Sequence, residues 1–213
     1  MTGSPSGSPD SPPTGSSAAM APPVPPLDVL VLQTAASLEN LAVQSYSTAA
    51  ELPFVVRGSA RLRALVTRNR AHHLAHARAF NQAVVRAGGA PQHAADPLYA
   101  TTVRRRLAAM TDPDTLVSLL TELEGNNAGT CTRYASLAER GGLRSLFVNV
   151  ASVEAQHGAE LLILRMLPEN GTTAAHARGA TARAVPAAAG TVGVPHAVYP
   201  TTAASAINEG AVR

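Results

Sequence analysis

Between residues 27 and 168 apolar side chains recur at spacings of three and four, and the strict alternation of a half-buried strand is absent. That periodicity predicts helix almost throughout. Four long segments emerge. The first runs from Leu27 to Glu51 and stops before Pro53; the second runs from Gly58 to Ala87 and ends at Gly88 and Gly89, with Pro91 beyond. The third opens in the run TDPDTL, where Asp112 can cap and Pro113 suits the first helical position, and it ends near Arg140. The fourth follows Gly141 and Gly142 and runs to Leu167, ahead of Pro168. Two junctions are short, which pairs the first helix with the second and the third with the fourth as antiparallel neighbours. The connection from Pro91 to Thr111 is long enough to cross from one end of a bundle to the other, with a short helical stretch in VRRRLAAM. The expected fold class is all-α, a four-helix bundle with one long crossover.

The flanks read differently. Residues 1–26 hold half of all the prolines among Ser, Gly and Ala, a composition that cannot repay ordering entropy by burial, so a disordered arm is expected there. Residues 169–213 are rich in Ala, Gly, Thr and Pro without a sustained period and are expected to form a flexible tail, in which PHAVYP could serve as a docking peptide. The bundle domain is therefore 27–168.

Each long helix carries polar groups on its apolar stripe. Glu39 has Leu32, Ala35, Ala42, Val43 and Tyr46 on its own face, Glu124 has Val117, Leu120, Ala128 and Cys131, and Glu154 and His157 have Leu146, Val150, Leu161 and Leu164. The second helix turns His73 and His76 toward the face of Leu62, Leu65, Phe80 and Val84. Three carboxylates on converging apolar faces need protons, positive partners or a metal to be tolerable. Histidines are neutral ligands of the right sort, and a Glu and a His three apart, as in Glu154 and His157, can reach one ion. The halves echo one another: Glu39 to Glu124 is 85 positions, while His73 to Glu154 and His76 to His157 are both 81.

Other assignments remain open on the residues alone. His72 lies four before His76 and makes a rival pair, although Arg68 on its face points to solvent and favours His73. Glu122 and Glu160 read as solvated surface charges. Tyr46 and Cys131 lie seven after their Glu residues, where a tyrosine could donate a hydrogen bond or an electron to the site, but read first as core packing; Asn127, one turn from Glu124, reads as either a hydrogen-bond partner of that carboxylate or a tolerated polar residue. A metal-free core, with the His and Glu side chains hydrogen-bonded to one another, is the structural alternative to an ion site.

The order Glu39, His73-x-x-His76, Glu124, Glu154-x-x-His157 is similar to the ferritin-like superfamily, whose helices supply Glu, Glu-x-x-His, Glu and Glu-x-x-His. The phrases TAASLENLAVQSY, HHLAHARAFN, LEGNNAGTCTRY and VEAQH most resemble the ferritin-like domain proteins of actinobacteria, related to the desiccation-associated group. The resemblance implies a ferritin-like four-helix bundle with a central metal site made by Glu39, His73, His76, Glu124, Glu154 and His157, holding iron as a mononuclear or dinuclear centre, or manganese or zinc. It further implies oxidase, ferroxidase or peroxide-linked chemistry, with a non-catalytic, stress-related structural or interaction protein as the alternative. His73 stands where the superfamily has a bridging Glu. Two divalent ions would bring +4 against −3 from Glu39, Glu124 and Glu154, which biases the site toward one ion or a weak second one.

Composition narrows the rest. A single Cys131 excludes an internal disulfide and a thiolate metal cluster. No apolar run reaches the roughly 20 residues of a membrane span, and the opening MTGSPSGSPDSPP lacks a basic segment followed by an apolar one, so a cytoplasmic location is expected. All 17 basic residues are Arg, and their one dense run is Arg104–Arg106, with 3% aromatic residues in the chain, so nucleic-acid binding is not expected. A monomer or homodimer is.

Overall fold

The computed structural model describes Met1, residues 25–166 and residues 201–212. The expectations for the N-terminal arm and for 167–200 otherwise fall outside the described residues. Helix α1 spans Leu27–Glu51, α2 Pro53–Val56, α3 Ala60–Arg86, α4 Ala100–Ala108, α5 Pro113–Leu137 and α6 Gly141–Met166. The described residues are helical with no strand, and no helix among them is long and apolar enough to cross a membrane.

The ends of these helices follow local chemistry. Leu52, the residue before Pro53, is extended and closes α1, and Pro53 then starts the single turn of α2, which the periodicity had not predicted. Ser59 caps α3 by accepting from the Leu62 amide at 3.1 Å, and Asp112 caps α5 by accepting from the Thr115 amide at 2.9 Å. At the far end of α3, Gly88 takes φ +83°, a left-handed conformation that suits glycine. Gly89 follows it with its amide on Val84 O at 2.9 Å, and a Cβ there would meet the Val29 side chain at 2.5 Å. Helix α5 ends at Leu137, three residues sooner than expected, because Ala138 turns extended and the Arg144 guanidinium takes up the Ala138 and Glu139 carbonyls at 3.0 and 2.9 Å.

Helices α1 and α3 pack lengthwise, as do α5 and α6, and the two pairs join face to face. The long connection from α3 to α5 is pinned onto α1. Gln33 donates to Ala90 O at 2.7 Å, Asn40 to Gln92 O at 3.0 Å, and the Asp96 amide to Ser37 O at 3.0 Å. One apolar cluster gathers Leu41, Tyr46, Leu65, Leu116, Leu120 and Leu161; a second gathers Leu32, Phe80, Tyr134, Phe147 and Val150. In sequence on every long helix, the polar stripe residues fall between these two halves of the core.

Residues 201–212 depart from the flexible tail that composition implied. Tyr134 Oη donates toward the Ser205 and Ala206 carbonyls, each at 2.9 Å, the Ser205 amide donates to Thr130 Oγ1 at 3.1 Å, and Gln92 donates to Gly210 O at 2.6 Å. The Gly210 amide donates to Thr34 Oγ1 at 3.0 Å. Small residues without periodicity can be ordered by polar groups that another element presents, and periodicity does not register that. Gly210 lies so close to α1 that a Cβ would sit 2.8 Å from the Thr34 Cα.

Candidate metal centre

All six stripe residues converge. Glu39 from α1, His73 and His76 from α3, Glu124 from α5, and Glu154 and His157 from α6 meet between the helix pairs. Helical spacing explains the arrangement: positions three apart, 73 with 76 and 154 with 157, share a face, and each helix contributes at the level where its apolar stripe is interrupted. His73, Glu124 and Glu154 are fully buried, and the side chain of His76 keeps 14% of its surface exposed, which makes its side the more open one.

The geometry resolves into two overlapping groups. In one, single ligand atoms of Glu39, His73, His76 and Glu154 all lie within 4.8 Å of one another; in the other, those of His73, Glu124, Glu154 and His157 do. His73 and Glu154 belong to both. The His73 ring spans the two, with Nδ1 2.8 Å from Glu39 Oε2 and Nε2 3.1 Å from Glu124 Oε1. His76 Nδ1 is 2.7 Å from Glu154 Oε1, and His157 Nδ1 is 3.3 Å from an oxygen of both Glu124 and Glu154.

The six groups set one another's protonation. Burial opposes charge on His73, but the facing carboxylates of Glu154 and Glu124 outweigh it and hold the imidazole protonated well above its ordinary range. Burial is likewise overcome at His76 by Glu154 and Glu39, raising it to about 10, and at His157 by Glu124 and Glu154, raising it to about 9. Glu39 and Glu124 are held below the usual carboxylate range despite burial, the first by hydrogen bonds from His73 and His76, the second by the His73 charge and the His157 hydrogen bond. Glu154 moves the other way, up to about 7, through burial and the nearby Glu39 charge. Three imidazoles and three carboxylates thus hold one another, and neutral imidazoles with ionised carboxylates are what a divalent ion would require.

Residues 27–167 match the family model of the ferritin-like domain. The chain belongs to that family. Neither the curated proteins nor the solved structures offer a match. In this ferritin-like bundle His73 is the inward histidine and His72 is not, as its facing had implied: His72 is partly exposed. Yet His72 is not idle in solvent, since its Nδ1 lies 2.9 Å from His157 Nε2 and the two rings stack. Glu122 and Glu160 are surface charges paired with Arg106 and Arg68.

Two further groups touch the ferritin-like centre. Tyr46, read first as packing, donates its phenolic hydrogen to Glu124 Oε1 and accepts from buried Asn69 Nδ2 at 3.4 Å. Position gave the signal for both: Tyr46 is two turns beyond Glu39 and Asn69 one turn before His73 on the inward faces. Cys131 does pack in the apolar core. Asn127 is buried with its amide nitrogen lacking a partner among the described residues, so it does not donate to Glu124.

Proposed function

We propose that this ferritin-like bundle binds a divalent metal through Glu39, His73, His76, Glu124, Glu154 and His157, iron being the ion whose chemistry the set suits best, and that it works in oxidation by dioxygen or peroxide. The observation that carries this reading is the pair of overlapping four-residue groups, each within 4.8 Å, buried inside the bundle. The donor set fits: imidazole and carboxylate together accommodate iron(II), manganese(II) and zinc(II), whereas a site for calcium or magnesium would be built from oxygens alone. Those imidazole and carboxylate residues would hold iron, which when bound would supply one-electron chemistry toward an oxygen species.

The surrounding residues have separate tasks. Tyr46 holds one Glu124 oxygen, leaving the other to face His157. Asn69 fixes the Tyr46 hydroxyl, and His72 fixes the outer nitrogen of His157, which orients the inner one toward the carboxylates. The apolar clusters on either side exclude water and strengthen every electrostatic contact between them. All six ligand groups come from one chain, so one copy suffices to build the centre.

Elemental analysis of protein purified without added metal tests the binding, and iron(II) oxidation measured against buffer tests the chemistry. The expected result is bound iron and a rate above buffer that Glu154→Ala abolishes; protein that neither carries nor takes up metal would overturn the reading. A second reading rests on the mutual hydrogen bonds of the six side chains, which satisfy the core with no ion: a non-catalytic ferritin-like module that serves in stress through partners bound by its flanking segments. Stability unchanged by chelator, with capture of a defined partner by residues 1–26 alone, would favour it.

A further inference from the structure

The two groups of potential ligands share the His73 ring and the Glu154 carboxylate. His73 Nδ1 faces Glu39 at 2.8 Å and Glu154 at 3.6 Å, toward the first group, and Nε2 faces Glu124 at 3.1 Å, toward the second. A carboxylate at such a position has lone pairs on both oxygens and can serve two ions together. A neutral imidazole has one free ring nitrogen, the other carrying hydrogen. Its proton-bearing end then remains a donor to the carboxylate on that side and points its positive edge at whatever that carboxylate holds.

We propose that the centre has two alternative positions for one tightly bound ion, one at each end of the His73 ring, and that the single free nitrogen of His73, together with the net charge, leaves a second ion only weakly held. This rests on the metal-binding reading above and goes beyond it by assigning stoichiometry and the residue that sets it. With an ion at the Glu39 and His76 end, Nε2–H stays on Glu124; with an ion at the Glu124 and His157 end, Nδ1–H stays on Glu39.

Charge acts in the same direction. One divalent ion among Glu39, Glu124 and Glu154 leaves a residual −1, which the remaining imidazole N–H and the Tyr46 hydroxyl are placed to offset as donors. A second ion leaves +1, with every carboxylate of the cluster already engaged. An uncompensated buried charge of that kind is costly. The two positions also differ in access, since His76 keeps 14% of its side chain exposed while Glu124 and His157 at the other end are buried.

The test is titration of the full chain, stripped of metal by chelator, with manganese(II) alone, followed by calorimetry and by electron paramagnetic resonance. The expected result is one tight equivalent with the signal of an isolated ion, a second binding weaker by roughly a hundredfold or more. His76→Ala and His157→Ala should each keep one equivalent, because each leaves the opposite group whole. His73→Glu should take up two equivalents and show the broadened signal of a coupled pair, its fold checked by circular dichroism. Two tight equivalents in the unaltered chain overturn the proposal while upholding metal binding. Loss of the ion in only one of the two Ala variants overturns the alternative positions in favour of a single fixed site. No uptake at all overturns the functional reading itself and this inference with it.

Discussion

Tyr46 on α1 donates its hydroxyl hydrogen across the bundle to Glu124 on α5, and both side chains are fully buried. Tyr46→Phe keeps the ring and removes the donor. The loss of a hydrogen bond to a buried charged group is expected to destabilise the metal-free protein by about 1.5–3 kcal/mol, with Asn69 left short of its acceptor. Urea unfolding of the chelator-treated protein reads it directly. An unchanged midpoint would mean that the phenol is packing alone.

Protons and a cation compete for the same lone pairs, which fixes the sign of the pH dependence. His76 and His157, raised from 6.5 to about 10 and about 9, stabilise the metal-free fold fully below pH 6.5 and lose that contribution as the pH climbs through those values. Glu154, raised from 4.5 to about 7, contributes fully below pH 4.5 and loses that contribution as the pH climbs to about 7. Glu39 and Glu124, both depressed, contribute above the ordinary carboxylate value of 4.5 and lose that contribution as the pH falls below it. Metal-free protein should therefore be most stable near pH 4.5 and weaken as the pH rises from there toward 10. Metal affinity should run oppositely and strengthen from pH 6 to 8, with about two protons released per ion. Calorimetry in two buffers of different ionisation enthalpy counts them; affinity indifferent to pH would contradict the scheme.

Glu154 belongs to both ligand groups and is the one carboxylate of the three whose charge the surroundings resist. Glu154→Gln should leave metal-free stability within about 1 kcal/mol while weakening manganese(II) binding by more than tenfold. Paired thermal melts with and without metal would show the stabilisation by metal vanish in the variant alone.

Gly210 offers a test of the returning segment. An added Cβ would sit 2.1 Å from Ser37 Oγ and 2.8 Å from the Thr34 Cα, and the second of these is backbone that cannot step aside. Gly210→Ala should cost about 1–3 kcal/mol and release residues 201–212 while leaving the bundle folded. Hydrogen exchange should rise at Ser205 and Gly210 amides, and slow exchange there in the variant would refute the close fit.

The four long helices and the six inward polar residues were legible because a helix buries a stripe, and a Glu or His on that stripe is visible at once from its neighbours at three and four. Glu39 among Leu32, Ala35 and Val43 is the plainest case. What periodicity could not show was reach across the bundle. Tyr46 is an ordinary core residue on α1 until α5 brings Glu124 opposite its hydroxyl. His72 looked solvent-facing beside Arg68, and its partner His157 comes from a helix 85 positions away. The stretch 201–212 has no stripe at all; its order comes from Thr34, Gln92, Thr130 and Tyr134, which belong to other elements.

Because residues 201–212 are seated on polar groups of α1, the crossover and α5, the bundle is unfinished when Met166 emerges from the ribosome. Until the later segment is synthesised and finds its groove, the Tyr134 hydroxyl and Thr34 must turn to solvent. A shortened product ending after α6 would then carry an open seam beside its core, with Thr34, Thr130 and Tyr134 missing the partners that the later segment brings.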